Sequence, residues 1–365
     1  MRKINKIIAL AIIAATFFVS CKKDEPTEIT PISTAKNIAY VVNYGTYPGL
    51  NSEISIYDID NKSIVHDNYK KANDIDFASN IQSMAINNDI AYLMSNDGDK
   101  IDIINAKTLK ASINPISTDI VKPRFFVANG NTAYISCWGN ADWNLMEDSY
   151  IAKIDLTTKS VTKIALPGGP EGLAIANNKL YAALNYRDSI AVINLTSDAI
   201  SYIATPAVSS YLLKDNSENL YVSFVSTYSD PSLASGIGYI NTNTDVIESN
   251  TLLDGISSNY GSIMQFNSDK SKIYIIAAAY DANWVLQGGV HVFNTSTKSY
   301  ETPVVENLAG INGVAVNPQN NNIYVLLAPS ATEKGTMKIC NTAGTIVDEQ
   351  ETGISPCQVM FYKVD

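Results

Sequence analysis

Histidine is nearly missing from this chain: His66 and His291 are the only two among 365 residues, and they stand far apart. A histidine-built metal centre or a Ser-His-Asp triad needs an imidazole beside its partners, and no GxSxG elbow is present. Cysteine is scarce as well. Cys21, Cys137, Cys340 and Cys357 contain no CxxC pair, so no zinc site is signalled. Cys340 and Cys357 read as small buried hydrophobes on strands. The acidic stretch NDGDKID (96–102) lacks the spaced Asp/Asn ligands of a calcium loop and reads as a turn. PGGPEG (167–172) is neither a GxGxxG nor a P-loop. No metal and no cofactor is expected. Basic residues are outnumbered, 26 against 36 acidic ones, which argues against a nucleic-acid partner.

Long apolar runs are absent too, except at the front. Arg2, Lys3 and Lys6 precede Ile7–Val19, an apolar run too short to span a bilayer comfortably and suited to a signal-peptide core. The run ends at Phe18-Val19-Ser20-Cys21, which resembles a bacterial lipobox with Cys21 as the lipidated residue, although Phe18 stands where Leu is usual. Lys23-Asp24-Glu25 just after it resembles the surface-export signal of Bacteroidota lipoproteins. The expected organisation is a signal peptide over 1–20, a lipidated cysteine and flexible tether over 21–35, and one folded body over 36–365. Removing the signal leaves 23 basic and 36 acidic residues, a net charge of −13. The membrane would be met only through the lipid.

What is abundant is a repeat. A short strand ending in apolar-Tyr recurs at Tyr40, Tyr92, Tyr134, Tyr181, Tyr221, Tyr274 and Tyr324. Each is followed by a second strand ending in Asp or Asn and a polar turn, at Asp58, Asn105, Asp155, Asn194, Asn241, Asn294 and Asn341. Six of the Tyr strands are preceded by another apolar strand. The first is not, and the C-terminal PCQVMFYKV has the missing pattern. These observations predict an all-β, seven-bladed β-propeller with no helical stretch, closed by the C-terminal strand pairing into the N-terminal blade.

Naming the strands A to D from the axis outward, B–C and D–A loops share one face, and C–D turns share the other with A–B turns. The B–C loops vary in length, and function tends to sit in such loops. Together they hold 68 of the 345 residues after the signal, yet they carry all three tryptophans, Trp138, Trp143 and Trp284. Tyr44, Tyr47, Tyr186, Tyr228 and Tyr280 fall there too, with Asn140, Asp142 and Arg187 among them. Rigid aromatics with polar neighbours suit a recognition surface, and these eleven residues are the candidate ligand-binding set. Packing of long loops onto the blade tops is the alternative for any single ring.

PEGLAIANNKLYAALNYRDSIAVINLTS and INGVAVNPQNNNIYV resemble the YncE-like (YVTN-type) propellers over essentially all of 36–365. With the export signal and the Cys137-Trp138-Gly139-Asn140 segment, the chain is similar to the BtuG-type surface lipoproteins of Bacteroidota. That resemblance implies an outer-membrane, lipid-anchored protein facing the cell exterior. It would capture cobalamin or a similar nutrient and pass it to a TonB-dependent transporter. A protein- or glycan-interaction module of an uptake or adhesion complex is the second reading. A propeller lactonase or lyase using Glu171 with Asp142 or Asp281 is the third. An axial pocket lined by Trp138 and Tyr280 would favour a small molecule, and a flat aromatic face a macromolecule.

Overall fold

The computed structural model describes residues 33, 35–140, 142, 145–226, 235–253, 263–283 and 285–363. The expected signal peptide, Cys21 and nearly all of the tether lie outside these residues. Alternating apolar side chains fold into seven sheets, each with four strand positions. In blade two these are Ile81–Asn87, Ile90–Ser95, Lys100–Asn105 and Ala111–Ile116, from the axis outward. Blade six divides its outer position between Ser299–Tyr300 and Val305–Ala309.

Blade one is assembled from both ends of the chain. Its inner strand is Pro356–Lys363, paired antiparallel with Asn37–Asn43 in a register that sets Tyr40 opposite Met360. The C-terminal strand therefore closes the ring, as its apolar pattern predicts. Gln358 extends the closure sideways into blade two: its amide oxygen accepts Met84 N at 2.7 Å and its amide nitrogen donates to Met84 O at 3.1 Å.

The repeated residues have distinct physical jobs. The seven tyrosines are all at most 3% exposed. In three blades the hydroxyl donates to the C–D turn of the next blade, from Tyr40 to Ala106 O, from Tyr181 to Asp245 and from Tyr221 to Thr295 O. In these three blades a ring that fills the core while its tip ties two blades accounts for Tyr rather than Phe. The seven Asp/Asn residues each accept backbone N–H groups two or more residues ahead, for example Asp155 from Thr157 N and Thr158 N at 2.8 Å. Asn294 does the same for Ser296 and Thr297. These caps fix the C–D turns locally.

Two short helical pieces correct the expectation of an all-strand body. Asn68–Asn73 forms an α-helix in the connection from blade one to blade two, and Asn96–Gly98 a 3-10 turn. The α-helix is held by tertiary packing, with Tyr69 edge-on to Phe77 at 4.9 Å, and six residues are too few to show a helical period in sequence. Among the described residues no helix is long and apolar enough to cross a membrane.

Candidate functional site

The inner strands do more than pair. In six blades the register of strand A against strand B shifts near the start of strand A, leaving extra residues that the partner strand does not match. The unmatched residues are Cys357 in blade one, Gln82 in two, Arg124 and Phe125 in three, Glu171 and Gly172 in four, Ser210 and Tyr211 in five, and Asn312 in seven. A β-bulge of this kind re-aims a side chain out of the sheet's alternation. All of them except Gly172 line one axial cavity of about 540 Å³. N–H groups freed by the bulges are re-satisfied across the sheet: Phe125 N donates to Ser136 Oγ at 3.0 Å and Tyr211 N to Ser223 Oγ at 2.9 Å. At Gly172 a Cβ would come within 2.6 Å of Ser210 O, so glycine permits the close approach of blades four and five.

The cavity sits where the D–A ends of the inner strands meet the B–C loops. Its floor is the edge-to-face pair of Phe125 and Tyr211, with ring centroids 5.3 Å apart. A second chamber of about 200 Å³ shares Ser83, Phe125, Tyr211 and Gln358 with the cavity.

Four charged side chains line the upper cavity, and they pair with one another. Arg124 holds Glu171 through two hydrogen bonds, Nε to Oε2 at 2.8 Å and Nη2 to Oε1 at 2.7 Å, and donates from Nη1 to Gln82 Oε1 at 2.7 Å. Lys122 stands 3.4 Å from Asp97, whose other oxygen accepts the Tyr44 hydroxyl at 2.9 Å. The polar wall thus belongs to blades two to four. Ile263, Tyr280, Val314 and Val359 from blades six, seven and one supply an apolar wall. Burial pushes the Tyr211 hydroxyl well above its ordinary range, with the Glu171 charge adding to it, and pushes the Cys357 thiol up to about 12.

Of the eleven candidates read from sequence, Trp138, Tyr44, Tyr47 and Tyr280 line this cavity. Trp138 is not an exposed loop ring as its Gly- and Asn-rich surroundings suggest: it is 2% exposed. The Arg124 guanidinium lies 3.9 Å from its ring centroid and Tyr186 meets it edge-on at 5.7 Å. Its backbone N donates to Lys122 O at 3.1 Å, which draws CWG down onto blade three. Tyr186 is therefore a support for Trp138. Arg187 pairs with Glu147 at 3.2 Å on the rim. Asn140 is exposed, and Asp142 caps the backbone of Leu145 and Met146. Asn140, Asp142, Tyr186 and Arg187 are not among the cavity's lining residues. Trp143, Tyr228 and Trp284 lie outside the described residues.

Sequence reasoning missed Gln82, Arg124, Tyr211, Gln265 and Asn312, all on inner strands. Cys357, expected as a buried hydrophobe, also faces the cavity. Glu171 does reach the axis, but Arg124 engages both its oxygens. Asp281 caps the backbone of Asn283 and Val285 and does not line the cavity. His66 bonds Ser55 beside the outer strand of blade one, and His291 lies on strand C of blade six. Among the described residues no three His, Cys, Asp or Glu side chains gather as a metal cluster.

Solved structures share the fold at low identity. A quinonprotein alcohol dehydrogenase-like protein from Bacteroides thetaiotaomicron matches with a TM-score of 0.67 and 16% identity, over 91% of this chain and 79% of its own. The periplasmic gluconolactonase of Pseudomonas aeruginosa matches with a TM-score of 0.67 and 10% identity, over 90% and 99%. Kuenenia stuttgartiensis hydrazine synthase matches with a TM-score of 0.62 and 15% identity, over 78% and 95%. Such likeness carries the fold alone. No curated protein matches the sequence. The family model described as "Domain of unknown function (DUF5074)" matches residues 37–343, nearly the whole propeller, and the chain belongs to that family.

Proposed function

We propose that this protein is a lipid-anchored, surface-exposed propeller that captures a small organic nutrient in its axial cavity and hands it to a TonB-dependent outer-membrane transporter. The observation that carries the reading is the cavity itself, about 540 Å³, concave, with aromatic and aliphatic groups facing a polar wall. Ligand sites for small molecules are commonly of this size and make-up. Cobalamin or a similar nutrient is the specific candidate, by the BtuG-type resemblance. A corrin is larger than the cavity and would rest over its mouth against Tyr44, Tyr47 and Tyr280, with a side arm below. The Cys21 anchor and the Lys23-Asp24-Glu25 export signal support the surface location.

Two experiments test this. Cys21→Ser should abolish labelled-palmitate incorporation and release a soluble body; equal labelling of the variant contradicts the anchor. Affinity purification of the full-length lipoprotein from its own outer membrane should bring down a TonB-dependent transporter, and reproducible recovery without one contradicts the hand-over.

A lactonase or lyase remains a second reading, because Glu171 is an axial carboxylate and one structural neighbour is a gluconolactonase. A general base needs an oxygen directed at substrate, whereas both Glu171 oxygens bond Arg124. Turnover of sugar lactones that Glu171→Gln abolishes while the variant stays folded by thermal melt would favour the enzyme; capture retained by the folded Glu171→Gln variant favours the binding protein.

A further inference from the structure

The hydrogen-bonding groups of the axial cavity fall into two sets. The charged groups are engaged with each other, Arg124 with Glu171 and Lys122 with Asp97, so the cavity's charges cancel. The neutral groups retain capacity. Among the described residues the Tyr211 hydroxyl and the Gln265 side-chain amide make no hydrogen bond, Gln82 uses its oxygen only, and Asn312 uses its nitrogen only, toward Pro356 O at 2.9 Å. These groups share the cavity lining with the apolar Ile263, Val314 and Val359 and with Tyr280.

A site built to hold an anion keeps a cation available at short range. Here the Arg124 charge is already neutralised by a bidentate carboxylate, and the chain as a whole carries −10, which repels anions at long range. An all-polar ligand would leave the aliphatic wall without a partner. A carboxamide, by contrast, offers one donor edge and one acceptor, which suits glutamine and asparagine side chains and a phenolic hydroxyl.

We propose that the axial cavity selects uncharged, carboxamide-bearing ligands with an apolar face, Tyr211 and Gln265 being the residues that read the amide and Lys122 not acting as an anion site. This rests on the capture reading above and narrows it to a chemical class.

The test uses the folded propeller with three probes followed by saturation-transfer NMR. N-acetylphenylalaninamide is the neutral amide, N-acetylphenylalanine its anionic twin, and maltotriose the all-polar control. The expected result is that the neutral amide binds at least about fivefold more tightly than its anion, with little dependence on salt. Tyr211→Phe keeps the ring on Phe125 and removes only the hydroxyl; it and Gln265→Met should each weaken amide binding about tenfold, the order of one lost hydrogen bond. Tyr202→Phe on the outer surface should change nothing. Equal or tighter binding of the anion, binding of maltotriose alone, or no effect of both variants overturns the inference. So does absence of binding by every probe at 10 mM. Where the probes or variants fail, cyanocobalamin titrated into the same sample separates the two readings: heat there keeps capture while the amide-reading residues fail, and no heat from it with every probe silent removes both.

Discussion

Arg124 and Glu171 face each other across the boundary between blades three and four, joined by two hydrogen bonds of 2.8 and 2.7 Å, with side chains only 4% and 6% exposed. Desolvation makes such a pair costly to break singly. Arg124→Met or Glu171→Leu alone should destabilise the propeller by about 3–5 kcal/mol, because each leaves an unpaired buried charge. The double variant should recover most of that loss. Thermal melts of the three variants check it, and additive losses in the double variant would mean the two side chains act independently.

Ring closure depends on the last strand. Deleting 356–365 removes the whole inner strand of blade one and strips Asn37–Asn43 of its partner on that side. Cooperative unfolding should be lost. Gln358→Ala is the milder companion, removing two bonds to Met84, and should cost roughly 1–3 kcal/mol with the transition still cooperative. A truncated chain that melts within a few degrees of the intact one would refute the closure.

Trp138 and Tyr47 should behave oppositely although both line the cavity. Trp138 is 2% exposed beneath Arg124, so Trp138→Ala should cost about 3–5 kcal/mol of stability as well as affinity. Tyr47 is 70% exposed, so Tyr47→Ala should leave stability within about 0.5 kcal/mol while affecting binding alone. Melting temperature and ligand affinity measured on the same two proteins separate the roles.

Glu53 lies partly buried beside Asn43 and Ser55, and desolvation raises its carboxyl above the usual range despite hydrogen bonds from Ser55 Oγ and Asp67 N that pull the other way. A raised folded-state pKa means the native protein holds this proton to higher pH than the unfolded chain. Glu53 should therefore subtract stability as pH rises from the unfolded glutamate value through the raised folded one. Glu53→Gln cannot titrate, so the melting-temperature gap between wild type and variant should move against wild type across that window. A gap that stays flat with pH contradicts the shift.

The fold was legible because its signals are local: an apolar-Tyr strand end and an Asx-capped turn each repeat seven times, and PCQVMFYKV carries the inner-strand pattern. The cavity wall was not. PRFFVAN and PEGLAIA read as ordinary apolar strands with a charge near one end; the bulges that aim Arg124 and Glu171 inward leave no mark on period-two alternation. Trp138 misleads for the complementary reason. Cys137-Trp138-Gly139-Asn140 has loop composition, and tertiary contacts bury the ring: the backbone bond from Trp138 to Lys122, the guanidinium above it and Tyr186 at its edge.

If the axial cavity takes up a small organic ligand, plugging it should abolish the uptake. Gln265 lines the cavity from blade six and its side chain makes no hydrogen bond among the described residues, so Gln265→Trp fills space without breaking such a bond. Calorimetric titration of cyanocobalamin into wild type and Gln265→Trp, with melting temperatures matched, should give micromolar or tighter binding to wild type and at least about a thirtyfold loss in the plugged variant, a difference of roughly 2 kcal/mol. Equal affinity in the two proteins would place the ligand elsewhere, and no heat from wild type at micromolar concentration would remove cobalamin from the account.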